Sequence, residues 1–158
     1  MITFKHIYTD DVPEEVTTEE LINEAPIEQT MQQGIDPNVA KMKGAELFAR
    51  CRAASTAAHF AHLLTSSFAE HNALNIFYVE IVTVADAFAE GFIGRYGKFD
   101  AFPNVKESST VGIQVIGNLV KWITTNRQLI SDYSEIQNEI DNIITLCNQT
   151  AYKIRELK

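Results

Sequence analysis

The sequence predicts an all-α protein, with a four-helix bundle running from about Asn38 to the C-terminus. Two observations predict it. Three of the four prolines (Pro13, Pro26 and Pro37) lie in the first 37 residues, and the fourth is Pro103. Proline breaks a helix interior, so the proline-free blocks 38–102 and 104–158 invite long helices. Within those blocks apolar residues recur at spacings of three and four, the period of one helix face.

Residues 1–37 read as an acidic N-terminal arm and residues 38–158 as the bundle domain. Residues 1–40 carry nine acids (Asp10, Asp11, Glu14, Glu15, Glu19, Glu20, Glu24, Glu28 and Asp36) against the single base Lys5. The rest of the chain holds twelve acids and twelve bases, so the whole net charge of −8 belongs to the arm. Such an arm repels phosphate backbones, and DNA binding through it is not expected. It suits docking to another protein. Ile2, Phe4, His6 and Tyr8 alternate with other residues, as in a short strand or an extended docking segment. Thr17-Thr18-Glu19-Glu20 fits a capping box for a short helix through Glu24. Pro26 suits the first turn of a second short helix, which Gly34 ends. A partly disordered tail is the alternative.

The first bundle helix is expected over about 39–65, capped by Asn38. Leu47, Phe48, Cys51, Ala54, Ala58 and His62 share its inner face. The second is expected over about 69–95, with the stripe Leu74, Phe77, Tyr78, Ile81, Ala85, Phe88 and Phe92, and Gly97 as its C-cap. Residues 98–108 form a linker long enough to cross the bundle. The third helix is expected over about 110–130, capped by Ser108 or Ser109, with Ile113, Ile116, Val120 and Ile123 inward. The fourth is expected over about 133–157, with Asp132 and Glu135 as its capping signal. Tyr133, Ile136, Ile140, Ile143, Cys147, Ala151 and Ile154 form its inner stripe. Four helices of matched length with one longer connection in the middle suggest a ferritin-like bundle, and an up-down-up-down bundle is the alternative.

No run of eighteen apolar residues exists, so no transmembrane helix is expected. The first residues lack the basic-then-apolar layout of a secretory signal, which makes the cytoplasm the expected location. Cys51 and Cys147 form no CxxC or Cys/His cluster and read as buried free thiols. Gly91, Gly94 and Gly97 follow a helix instead of opening one, so they are no phosphate loop. Trp122 and Phe77, Phe88, Phe92, Phe99 and Phe102 read as core or oligomer contacts.

The residues with chemical potential are His59, His62, His71, Asp86 and Glu90. With His71 at zero on the second helix, Asn75 falls near ~40°, Asp86 near ~60° and Glu90 near ~100°, one narrow sector shared with Val79 and Val82. Valines mixed with acids at a helical repeat predict a partly buried contact. Asp86 and Glu90 are four residues apart and repel each other unless a cation relieves them. A metal would do so, since imidazole with carboxylate suits iron, zinc or manganese. Arg95, Arg50 or Arg52 would do so as well. His71 and Asp86 stand about 22 Å apart along one helix. They can share an ion only across a twofold contact with an antiparallel neighbour, so the site would exist only in an oligomer.

The segment His59-Phe-Ala-His62-Leu-Leu-Thr-Ser-Ser-Phe68-Ala-Glu-His71, followed by Asp86-Ala-Phe-Ala-Glu90 by spacing, resembles the Dps family of mini-ferritins. More closely it resembles the Dps-like proteins of tailed bacteriophages. The resemblance implies a homo-oligomer that binds and oxidises ferrous iron between subunits. His71 with His59 or His62 would come from one subunit, and Asp86 and Glu90 from the other. Asn75 stands where that family usually places an acid, the basic DNA-binding tail is replaced by an acidic arm, and no Glu-x-x-His motif occurs. The alternative is a non-enzymatic phage assembly or host-interaction protein that keeps the bundle and has lost the metal site.

Overall fold

The structure, a computed structural model, describes residues 34–157. The strand and short helices expected in the arm lie outside the described residues. Four helices follow: α1 (Pro37–Leu64), α2 (Phe68–Tyr96), α3 (Gly112–Ile130) and α4 (Ser134–Glu156). The proline-free blocks became helices because nothing in them interrupts the backbone ladder. Among the described residues, no helix is long and apolar enough to cross a membrane.

Each helix packs mainly on two neighbours, in the ring order α1, α2, α4, α3. Thr65–Ser67 turns α1 back on α2, and Ser131–Tyr133 turns α3 back on α4. Both turns are too short for anything but antiparallel pairs. Residues 97–111 instead carry the chain along the bundle. They leave the start of α1, where Asp100 and Ala101 lie by Asn38 and Lys41. They then track α1 to Phe60, beside Ser109 and Thr110. A shallow groove of about 350 Å³ opens between Phe48, Arg52 and Thr56 of α1 and Phe102 and Val105 of this crossover. At its far end Gly112 meets Glu70 and Leu74 so closely that an added Cβ would lie 2.8 Å from each. The head of α3 therefore sits beside the head of α2, and these two helices run the same way.

The core follows the expected stripes, except that Phe48, Tyr78, Ala151 and Ile154 are half-buried and Tyr133, at the N-cap of α4, is exposed. Leu47, Cys51, Ala54 and Ala58 of α1 meet Leu74, Phe77, Ile81, Ala85, Phe88 and Phe92 of α2. Ile116, Leu119 and Ile123 of α3 and Ile136, Ile140, Ile143 and Cys147 of α4 complete it. Alanines on α1 let its neighbours approach closely, and the larger residues of the other helices fill the space. In α3, Ile113 and Val120 are only half-buried, and Val115 and Leu119 take the inner positions. Both cysteines are buried free thiols, as their helical positions predict. Burial pushes the Cys147 thiol up to about 12 and Cys51 further still. Both stay protonated and inert at neutral pH.

Three caps differ from expectation. Asp36, not Asn38, caps α1, and its Oδ1 accepts from the Asn38 N–H at 2.8 Å. Pro37 occupies the first helical turn, where its missing N–H costs nothing. Val111, not Ser108 or Ser109, stands at the N-cap of α3. Ser109 Oγ instead accepts from the Val111 N–H at 3.1 Å, one step before the helix. Tyr133, not Asp132, stands at the N-cap of α4 with no side-chain cap bond, and Ser131 Oγ accepts from its N–H at 3.1 Å. Gly97 ends α2 as expected, at a φ of 81° that glycine adopts without strain.

Candidate functional site

The three histidines converge where α1 ends and α2 begins. A short turn holds them there. Ser67 caps α2 by accepting the Glu70 N–H at 3.3 Å. The Thr65 hydroxyl donates to Glu70 Oε2 at 2.6 Å and accepts from the Ser67 N–H at 3.1 Å. His62, in the last turn of α1, is only 8 % exposed, whereas His71 in the first turn of α2 is exposed. Their rings stack with centroids 3.7 Å apart and planes 29° apart. Each ring binds the other residue's main chain: His62 Nδ1 donates to the His71 carbonyl at 2.9 Å, and His71 Nδ1 donates to the His62 carbonyl at 3.1 Å.

That reciprocal bonding assigns the tautomers. A carbonyl oxygen only accepts, so each Nδ1 carries a proton. In the neutral rings each Nε2 then keeps its lone pair. A ring held by one nitrogen on a backbone carbonyl, with the other nitrogen free, is the arrangement typical of metal-binding imidazoles.

His59 lies one turn earlier on α1. It stacks on Tyr78 of α2 at 4.3 Å, while Tyr78 presents its ring edge-on to His62 at 5.5 Å. His62, rather than His59, is thus the α1 partner of His71. The Tyr78 phenol donates to Asn75 Oδ1 at 2.9 Å. Ser55 ties the same stretch to α1 by donating to the Tyr78 carbonyl at 2.7 Å. Sequence reasoning placed Tyr78 in the core stripe and missed this bridging role. The signal was its position three residues beyond Asn75, where side chains on one helix face meet.

Asp86 and Glu90 lie further along α2, on its outer face. Of the expected partly buried sector only Val82 is half-buried within the protomer: Asp86 and Glu90 are exposed, and Val79 between them and His71 is 56 % exposed. The helix leaves this sector outside because its opposite face holds Phe77, Ile81, Ala85 and Phe88 in the core. The expected arginine partners are occupied elsewhere. Arg50 binds Glu46 at 2.8 Å, and Arg95 lies over Tyr133 with Glu135 at 4.0 Å. Among the described residues no ion pair involves Asp86 or Glu90, and none joins Arg52 to either.

Among the described residues, no three His, Cys, Asp or Glu side chains converge as a metal site within one chain. The chain presents two separate donor pairs: imidazoles whose Nδ1 atoms are spent on backbone carbonyls, and exposed carboxylates one helical turn apart. The donor set fits a divalent cation only if two copies bring unlike pairs together.

Fold and side chains together define an all-α bundle with a histidine-locked hairpin and an acidic outer face. Residues 62–154 match a protein family described as a family of unknown function, DUF5856, and the chain belongs to that family. The matched region includes His62, His71, Asp86 and Glu90. No curated protein and no solved structure matches the chain.

Proposed function

We propose that this protein is a Dps-like ferritin, akin to those of tailed bacteriophages, that takes ferrous iron as substrate at sites shared between copies. His62 and His71 bind it from one copy, with His59 behind them, and Asp86 and Glu90 bind it from the neighbour. Each ferrous ion gives up one electron to a dioxygen or peroxide co-substrate, and the ferric product is stored inside a closed homo-oligomer. The observation that carries this reading is the reciprocal hydrogen bonding of His62 and His71, which leaves both Nε2 atoms available. The crossover of residues 97–111 supports it too, because a ferritin-like bundle is distinguished by one long connection. Asp86 and Glu90 are exposed and form no ion pair among the described residues, which leaves them able to serve a neighbour.

Native mass and metal content measured on one sample test the reading. A twelve-subunit particle with bound iron, and ferrous oxidation that Asp86→Ala abolishes, is the expected result. A particle without metal, with oxidation unchanged in Asp86→Ala, removes it.

A second reading is a non-enzymatic assembly or host-interaction module on the same bundle. It is favoured by the apolar residues left outside at the hairpin tip, Leu63 (67 % exposed), Leu64 (71 %) and Phe68 (79 %). Apolar clusters of this kind mark contact surfaces. A dimer or open ring that binds no metal would support it over the first.

A further inference from the structure

We infer that the trough between α1 and the crossover of residues 97–111 docks an extended acidic peptide of a partner protein, one that alternates carboxylates with apolar side chains. The inference does not rest on the iron reading, whose residues lie on α2 and the last turns of α1. Charge is divided across the bundle. α1 carries Lys41, Lys43, Arg50 and Arg52 against Glu46, and its neighbour α3 carries Lys121 and Arg127 with no acid. α2 carries four acids against Arg95, and its neighbour α4 four acids against two bases. One side of the bundle is therefore basic and the other acidic, and the crossover lies on the basic side, against α1.

The groove of about 350 Å³ beside Phe48 continues into a second of about 310 Å³ beside Phe60, with Ala53, Thr56 and Val105 common to both. Phe48 and Phe60 stand about 18 Å apart along α1. An extended segment of about five or six residues spans that length. Each stretch sets an apolar ring beside a cation: Phe102 with Arg52, and Phe60 with Lys106. All four side chains are exposed, and neither cation forms an ion pair among the described residues. The carboxylate that lines the trough, Glu107, is already engaged: its Oε1 accepts from the Ser109 N–H at 3.1 Å and from Asn118 Nδ2 at 3.0 Å. Main chain is on offer as well. Among the described residues no backbone–backbone hydrogen bond involves residues 98–110. An extended ligand therefore meets unspent main-chain groups along one wall, as when a strand is added to an open edge. Nucleic acid fits less well, because the trough is lined largely by apolar side chains and the chain as a whole carries a net charge of −8.

Fluorescence anisotropy of a labelled hexapeptide alternating glutamate and leucine, titrated with the full chain in about 0.15 M salt, tests this. Binding with a dissociation constant below about 1 mM is expected, and none by the lysine–leucine counterpart. Arg52→Glu combined with Lys106→Glu is expected to weaken binding about tenfold or more, with helicity by circular dichroism unchanged. Phe102→Ser should weaken it as well. Equal binding of the lysine–leucine peptide, unchanged affinity in the double variant, or no binding up to about 1 mM chain would overturn the inference. Tighter binding of a single-stranded oligonucleotide than of the acidic peptide, lost in the double variant, would overturn the peptide as occupant in favour of nucleic acid.

Discussion

The two ends of this bundle are built on different terms. Where α1 begins and α2 finishes, aromatic rings fill the interior. The Phe92 ring packs against Phe88, Tyr96 and Phe99 with centroid separations of 5.8, 4.5 and 5.1 Å. The Tyr96 hydroxyl meets the buried Ser131 hydroxyl at 3.0 Å, and Arg95 covers Tyr133 at 3.5 Å. Where α1 finishes and α2 begins, the priorities are reversed. An imidazole, His62, is taken inside, and Leu63, Leu64 and Phe68 are left outside. One end spends its apolar residues on cohesion. The other keeps them for contact and holds itself together with polar bonds.

The sharpest way to break this comparison is to empty the aromatic end. Phe92 is fully buried, so Phe92→Ala is expected to cost about 3–5 kcal/mol in urea unfolding, through lost burial and the cavity left behind. Overfilling the same place is the next largest effect. A Cβ on Gly44 would already lie 2.9 Å from the Phe92 ring. Gly44→Val is therefore expected to destabilise by about 1–3 kcal/mol. At the histidine end, His62→Phe keeps a ring in place and removes its bond to the His71 carbonyl. A loss of about 1 kcal/mol is expected by the same measurement. A loss as large as that of Phe92→Ala would erase the contrast between the ends.

Glu46 on α1 gives a smaller effect with a definite pH signature. Burial by itself would raise its carboxyl, but hydrogen bonds from Arg50 and Lys43 outweigh it and hold the carboxyl below the ordinary value of 4.5. A group depressed in the folded state binds its proton more readily when unfolded. Its contribution is therefore complete above that ordinary value and fades as pH falls through the lowered folded one. Glu46→Gln is expected to be less stable than wild type at pH 7, by under about 1 kcal/mol. The difference should vanish in acid. A deficit that persists below pH ~2 would show that the ion pairs with Lys43 and Arg50 are not its origin.

Smallest in stability is the outer tip. Leu64→Ser should change unfolding free energy by no more than about 0.5 kcal/mol, since the side chain is mostly in water. Native mass should fall if the tip is a contact. Unchanged mass together with a large stability loss would make the tip part of the core and overturn the comparison from the other side.

Much of the bundle was legible because its signal is local and repeated. The stripe from Leu74 to Phe92 states a helix and its inner face several times over, so one misread position changes nothing. The caps were less legible. Asp36 and Asn38, or Ser109 and Val111, are neighbours along the chain, and which one caps depends on the angle at which the backbone enters the helix. Outer positions were the least legible. Val79, Asp86 and Glu90 follow the same helical repeat as the core, and composition alone suggested partial burial. The protomer leaves them exposed because its inner positions are already filled by larger apolar residues.

By itself the sequence determined the number of helices, their inner faces and the buried state of both cysteines. Backbone periodicity and the cost of leaving hydrocarbon in water leave little choice there. Only the tertiary structure decided that His62 faces His71 while His59 goes to Tyr78. His59 and His62 stand three residues apart on one side of α1. Which of them meets α2 depends on how far one helix is rotated against the other, and the packing of the whole core sets that rotation.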